Sequence, residues 1–327
     1  MRQPPSTLGS TAVAVLDDYQ QTALTVADWS VLDGRVTIVA FADHLDGIDA
    51  LARRLERFEV LVVMRERTAF PRELFERLPR LRLLVTTGMA NAAIDLDAAR
   101  AHGVVVCGTG LAHQQTAELT WALVMAAVRQ IAIEDRAVRD GRWQTTLGLE
   151  LAGSTLGLLG FGRLGKIIAR YGAAFGMSVI AWSEHLDRAD AEALGVEAVG
   201  RNELFERSDV VSVHLRLSDR TRGLVGVREL TLLGSHGYLV NTSRGPIVDE
   251  AALVDALQAG TIAGAALDVY DREPLPAGHP LLSAPRTTLS PHMGYVAERS
   301  YRAAYTDAVE DITAWLDGAP LRVLNGE

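Results

Sequence analysis

An α/β protein of two doubly wound parallel-sheet domains with a crevice between them is predicted by three observations. The chain is long, short apolar runs alternate with helical patterns in two successive series, and a glycine-rich turn opens the second series. At 327 residues the chain exceeds the size at which one hydrophobic core usually keeps growing, so two domains are expected. Apolar residues make up 48% of it, enough for two sizeable cores.

From Ala12 to Val106 the apolar runs AVAVL, VTIVAF, VLVVM, LRLLVTT and VVVC are separated by helical patterns such as Leu51 to Phe58 and Arg72 to Leu78. This βα alternation implies a parallel sheet covered by helices. After Gly108 to Gly110 a proline-free stretch from about Thr116 to Arg139 has one apolar side and ends near Gly141; it reads as a single helix connecting two domains. The second series places strands near Thr155 to Leu159, Val179 to Trp182, Val210 to Leu215, Tyr238 to Asn241, Ala263 to Asp268 and Thr287 to Ser290. A last helical stretch, about Glu298 to Leu316, is expected to fold back on the first domain. The resulting division is a first domain of residues 1–106 and 294–327, and a second domain of residues 107–293.

Ser154 to Gly165 reads STLGLLGFGRLG, a buried-strand pattern running into Gly160, Gly162 and Gly165 in GxGxxG spacing, with helical spacing from Lys166 to Phe175. The first glycine allows a tight turn, the second lets backbone NH groups approach a pyrophosphate, and the third lets the helix pack close to the strand. The helix N-terminus then offers unpaired NH groups and a positive dipole end. Glycines also mark ordinary turns, but here strand and helix flank them as a Rossmann-like domain requires. Gly160, Phe161, Gly162, Arg163, Leu164 and Gly165 are therefore the expected phosphate cradle for NAD or NADP. In Rossmann-like and flavodoxin-like sheets the ligand crevice lies outside the carboxyl ends of the strands.

Three strand ends carry chemistry. YLVN opens into Thr242, Ser243, Arg244 and Gly245, where an arginine can present its planar fork to a carboxylate or simply occupy a surface turn. GAALDV exits through Asp268, Asp271 and Glu273, whose carboxylates can position an amide or imidazole, although Glu273 alone also suits a solvated loop. TTLS runs into Pro291, His292, Met293 and Gly294, and histidine is the side chain suited to lend and recover a proton near neutral pH. Of the other histidines, His44, His102, His185, His236 and His279 read as solvated, His113 opens the connector helix, and His214 ends VVSVHL on the ligand side as a packing or cofactor-lining residue.

The succession GFGRLG, SDVVSVHLRLSDRTRGLV, VNTSRGPIVDE, GAALDVYDREPLP and SPHMG resembles the D-isomer-specific 2-hydroxyacid dehydrogenase family from about Val60 to Asp317. The resemblance implies that Arg244 holds the substrate carboxylate and carbonyl. It further implies that Glu273 pairs with His292, and that His292 protonates the keto oxygen as hydride arrives, serving as base in reverse. It also implies that Asp268 and Thr242 lie at the nicotinamide carboxamide, with Thr116, His214, His292 and Gly294 near the cofactor. TTGMANAAID resembles the family's substrate loop, in which NH groups around Met89 and Ala90 bind the carboxylate; Ala90 stands at the second glycine and Asn91 to Ala93 depart from the pattern. Arg216 replaces the usual proline after His214. Ser183 stands where an aspartate usually receives the ribose hydroxyls. Ser183 does not repel a 2′-phosphate and Arg188 can pair with one, whereas Glu184 can replace the missing carboxylate, so both NAD and NADP remain open.

The reaction implied is reduction of a small 2-keto acid, such as glyoxylate or hydroxypyruvate, to its D-2-hydroxy acid, without a metal. Two other readings stay open. Oxidation of 3-phosphoglycerate would draw on Arg65 and Arg67 for the phosphate, although no appended regulatory domain follows the final helix. A nonenzymatic dinucleotide-sensing corepressor would share the fold. A formate dehydrogenase is disfavoured because that branch places glutamine at Glu273. The net charge of −9, without a basic cluster interleaved with aromatics, argues against nucleic-acid and anionic-membrane partners. One cysteine, Cys107, excludes an intrachain disulfide and a cysteine-built zinc site. A cytoplasmic homodimer is expected; the apolar side of the helical stretch Thr116 to Arg139 either pairs with a second copy or packs only within the chain.

Overall fold

The structure, a computed structural model, describes residues 10–110 and 114–326. The chain divides into two compact units, Met1–Ala112 with Val296–Glu327, and His113–Tyr295. The first boundary falls beyond the residue 106/107 division because the fifth strand runs on to Gly108 in the sheet of the first unit; the second falls after Tyr295.

The first unit is a five-stranded parallel sheet of β1 (Thr11–Val15), β2 (Val36–Ala40), β3 (Val60–Val63), β4 (Leu83–Thr86) and β5 (Val105–Gly108). The spatial order is β2-β1-β3-β4-β5, which is the flavodoxin-like order, with its switch point between β1 and β3. VLVV and LLVT are buried at every position, as central strands covered on both faces must be. The helix Glu298–Leu316 packs on β4 and buries Tyr305 and Ile312, so the C-terminal helix does belong to this unit.

The second unit has seven parallel strands: β6 (Thr155–Leu159), β7 (Ser178–Trp182), β8 (Glu197–Ala198), β9 (Val210–Val213), β10 (Tyr238–Asn241), β11 (Gly264–Leu267) and β12 (Thr287–Leu289). Their order, β12-β11-β10-β9-β6-β7-β8, is the Rossmann arrangement extended by one strand, with the switch point between β6 and β9. Two residues long, the edge strand β8 is too short to show an apolar period, and the sequence reading omits it.

The single connector helix expected from Thr116 to Arg139 is instead two helices, Gln114–Val128 and Ile131–Arg139, bent by 62°. Gln130 adopts left-handed backbone angles, φ 51° and ψ 39°, and Leu149 donates its NH to the Val128 carbonyl at 2.9 Å. A returning segment thus takes an acceptor that the next helical turn would have used. Among the described residues no single helix is long and apolar enough to cross a membrane.

A charge cluster anchors the end of the chain within the first unit. Arg322 donates to Asp311 at 3.0 Å, to Glu310 at 3.1 Å and to the Asp307 carbonyl at 2.8 Å, while Asp307 accepts from the Gly110 NH at 2.7 Å. Asp311 is fully buried and its Oδ2 has no hydrogen-bond partner among the described residues. Burial pushes its carboxyl up to about 7 against the pull of Arg322, with Asp307 and Glu310 adding to the rise. A folded-state value above that of the unfolded chain favours folding below about pH 4, and that contribution is lost as pH rises through about 7. Asp311→Asn should therefore gain melting temperature relative to wild type between about pH 5 and about pH 8. A difference that stays constant over that range would show that Asp311 does not titrate there.

Candidate active site

The glycine turn behaves as its spacing demands. Gly160, at φ 109°, lies so close to β9 that a Cβ would sit 2.7 Å from the His214 carbonyl carbon. A Cβ on Gly165 would sit 2.5 Å from the Gly160 carbonyl oxygen. At Gly162 a Cβ would meet nothing within 4 Å: this glycine faces open space. It precedes the helix Arg163–Ala174, whose start has no side-chain cap, so the NH groups of the first turn are available to a ligand. Two glycines are required by packing and the third keeps the approach clear, which fits a dinucleotide pyrophosphate. Phe161 is buried, Leu164 half-buried and Arg163 exposed.

At the end of β7, Ser183 is half-buried, and Glu184 and Arg188 are exposed; Asp187 caps the short helix that Arg188 begins. His214 follows β9, with Nε2 2.9 Å from the Ser212 Oγ and with Nδ1 shielded and without a partner among the described residues. Burial pushes its pKa down to about 4, so the ring is neutral at physiological pH.

Beyond β10, Thr242 is buried and shares a 2.7 Å hydroxyl contact with Thr120, which donates to the Thr116 carbonyl. Arg244 donates to the Ser243 carbonyl at 2.7 Å, and Asn241 donates to the Arg244 carbonyl at 3.0 Å. Gly245 presses this turn onto the next strand's exit, since a Cβ there would lie 2.0 Å from the Tyr270 carbonyl carbon. Arg244 is thereby held beside the segment that leads to Glu273.

Glu273 uses both oxygens. Oε1 accepts from the Tyr270 NH at 2.9 Å and Oε2 lies 2.5 Å from the His292 Nδ1, so the pair implied by the resemblance is formed. With Nδ1 engaged, Nε2 is the nitrogen free to exchange a proton with a ligand. His292 is half-buried at φ 50°.

Asp268 is 1% exposed at the end of β11. It accepts from the Ser290 hydroxyl at 2.6 Å, the Met293 NH at 2.8 Å and the Gly294 NH at 2.9 Å. Burial raises its pKa and these hydrogen bonds hold the rise back. Gly294 is wedged: a Cβ would lie 3.2 Å from both the Asp268 Oδ2 and the Thr116 Cγ2, and the Thr116 hydroxyl donates to the Gly294 carbonyl at 2.9 Å. Asp268 is therefore the anchor of the turn that carries His292, a role the sequence reading did not assign.

In the first unit, Met89 and Ala90 are exposed in the bend after β4. Asn91, which departs from the family pattern, pins that bend by donating to the Arg65 carbonyl at 2.6 Å and the Thr86 hydroxyl at 2.9 Å. A second cluster sits at the carboxyl ends of β1 to β3. Asp17 is buried between the His44 Nδ1 at 2.8 Å and the Thr68 hydroxyl at 2.7 Å, and Arg67 donates to its carbonyl at 2.8 Å. His44 is thus not solvated as its polar sequence context suggested, and Asp17 raises its pKa. His279 likewise pairs with Glu250 at 2.9 Å. His113 lies outside the described residues.

A Rossmann sheet whose glycine turn opens into an uncapped helix, with a His–Glu pair beyond its strand ends, defines a nicotinamide-dependent oxidoreductase. Residues 121–294 match the NAD binding domain of the D-isomer specific 2-hydroxyacid dehydrogenases, and the chain belongs to that family. It is 40% identical over 266 residues to the glyoxylate reductase of Aeropyrum pernix, covering 78% of this chain and 79% of that one. The D-3-phosphoglycerate dehydrogenase of Methanocaldococcus jannaschii is 35% identical over 274 residues, 83% of this chain but 52% of that longer one. Among solved structures, a phosphoglycerate oxidoreductase from Vibrio cholerae superposes with a TM-score of 0.89 at 36% identity, covering 94% of this chain and 100% of that one. The cofactor is accordingly NAD or NADP.

Asp268→Ala leaves three donors without their acceptor, and each buried donor so stranded costs about 1–3 kcal/mol. Urea denaturation should show a loss of at least that size for one donor, with a smaller loss in Asp268→Asn. A loss below about 0.5 kcal/mol, within the range of ordinary surface substitutions, would contradict the anchoring role.

Proposed function

We propose that the chain reduces a small 2-keto acid, of the glyoxylate or hydroxypyruvate type, to the D-2-hydroxy acid, with His292 as the acid/base. The observation that carries this reading is the 2.5 Å contact of His292 with Glu273, which ties down Nδ1 and leaves Nε2 as the working atom. When bound, NAD(P)H supplies the hydride. Arg244 offers its guanidinium fork to the substrate carboxylate and carbonyl, and the NH groups of Met89 and Ala90 bind the carboxylate. The proton on Nε2 of the imidazolium passes to the keto oxygen; in the reverse direction neutral Nε2 receives it from the hydroxyl. Glu273 holds Nδ1 and so orients the ring.

The pyrophosphate is held by Gly160 to Gly165, with Asp268, Thr242, Thr116, His214 and Gly294 about the cofactor. The absence of an aspartate at Ser183, with Arg188 nearby, supports use of NADP as well as NAD, and Glu184 supports retention of NAD. The protein acts as a cytoplasmic homodimer in this reading, with the first unit as its substrate-binding domain. Oxidation of 3-phosphoglycerate is the second reading, favoured by the Methanocaldococcus jannaschii relative and by Arg65 and Arg67 just beyond β3.

His292→Ala should lower turnover about 100- to 10,000-fold, the usual contribution of an acid/base, while binding of the reduced cofactor followed by fluorescence is kept. Turnover close to wild type in that variant rules out the assigned role. Steady-state assays of glyoxylate, hydroxypyruvate and 3-phosphoglycerate with each cofactor decide both substrate and selectivity. Comparable kcat/KM with NADH and NADPH is expected, and a strong preference for NADH sets aside the reading of Ser183 and Arg188.

A further inference from the structure

One hydrogen bond fixes one corner of an imidazole but leaves the ring free to swing about that corner. Among the described residues Glu273 supplies that tether to His292. The second restraint comes from three residues along the chain. The ring of Tyr295 stands edge-on to the imidazole, with centroids 5.6 Å apart and planes at 69°. Tyr295 is only 7% exposed, so its ring is itself held in place by packing. The backbone between the two rings is fixed as well. His292 is at φ 50°, Met293 and Gly294 donate to Asp268, and Thr116 donates to the Gly294 carbonyl. A Cβ at Gly294 would lie 3.2 Å from both the Asp268 Oδ2 and the Thr116 Cγ2, so the turn is tight there and residues 292 and 295 meet across a short arch.

We infer that Tyr295 is a positioning residue for the hydride-transfer reaction: its ring, with Glu273, sets the plane of the His292 imidazole and so the place of Nε2. This rests on the acid/base reading of His292. An edge-on aromatic contact restricts tilt through packing and the ring quadrupole, and neither needs the phenolic hydroxyl. Misplacing a proton donor lowers the rate of the proton-transfer step without weakening carboxylate recognition, which is assigned to Arg244 and the substrate loop. The consequence falls on kcat rather than on KM.

The test uses the full chain and the variants Tyr295→Phe, Tyr295→Leu and Tyr295→Met. The phenylalanine variant is expected within about two-fold of wild type, and the leucine and methionine variants to lose about 2- to 10-fold in kcat at unchanged KM, the size of one aromatic pair. Binding of NADH by fluorescence is expected to stay unchanged. A readout independent of turnover is the His292 ring CH resonance, assigned by its loss in His292→Ala. It should shift when the ring current of residue 295 is removed and keep close to its place in Tyr295→Phe. Wild-type kcat in both aliphatic variants, a phenylalanine variant as impaired as they are, or a change in KM alone overturns the inference. If His292→Ala retains turnover, the acid/base reading fails and this inference fails with it. Silent aliphatic variants in an enzyme that needs His292 overturn this inference alone.

Discussion

The active-site end of the second unit depends on one buried carboxylate. Asp268 closes β11 and gathers the Ser290 hydroxyl and the NH groups of Met293 and Gly294, so the exit of β12 is bent over the exit of β11. Removing a carboxylate from water is costly unless its lone pairs find donors, and here three donors come from a single short segment. That concentration is what turns a desolvation cost into a structural restraint. Remove the charge and the turn carrying His292 loses its only shared acceptor among these contacts; keep it, and the left-handed backbone of His292 is held by neighbours on both sides.

Parallel register then makes convergence cheap. Asn241 is level with Leu267 and Leu267 with Leu289, so β10, β11 and β12 end side by side. Side chains a few residues past each end emerge on one rim of the sheet, although Arg244, Glu273 and His292 are far apart in sequence. Gly245 tightens the arrangement by letting the arginine turn lie directly on the Tyr270 backbone, the same segment whose NH fixes the Glu273 Oε1. The histidine is oriented by a glutamate that is itself oriented by backbone, which is how a nitrogen proposed to exchange a proton is kept within tight tolerance.

Much of this was legible because it rests on periodicity or on residues whose chemistry is unambiguous. Strands as uniformly apolar as VLVV announce a covered parallel sheet, and the Glu273–His292 pair is what the family resemblance implies. What escaped was local competition for hydrogen bonds. Nothing in the composition of Thr116 to Arg139 says that Leu149 will return to take the Val128 carbonyl and that Gln130 will turn left-handed. His44 sits among polar residues in sequence, yet its partner Asp17 comes from another strand end and removes it from solvent. The resemblance puts Asp268 at the nicotinamide carboxamide, but its role as anchor depends on a turn from β12 folding over it, and a sequence pattern carries no information about that reach.

The glycine turn separates two decisions that the sequence presents as one motif. In the proposed reading phosphate binding is a property of backbone: a Cβ at Gly160 would collide with His214 and one at Gly165 with the Gly160 carbonyl, while at Gly162 a Cβ would meet nothing within 4 Å and the space before the helix stays open. Those constraints are the same whichever cofactor is used, and any side chain there would disturb either the packing or the approach. In the proposed reading the choice between a ribose hydroxyl and a 2′-phosphate falls instead to side chains beyond β7. Ser183 is only half-buried and Glu184 and Arg188 are exposed, so they can be exchanged without touching a core contact. Folding therefore constrains the cradle tightly and the selectivity position hardly at all, which is why a chain can keep the whole phosphate motif and still depart from the usual aspartate.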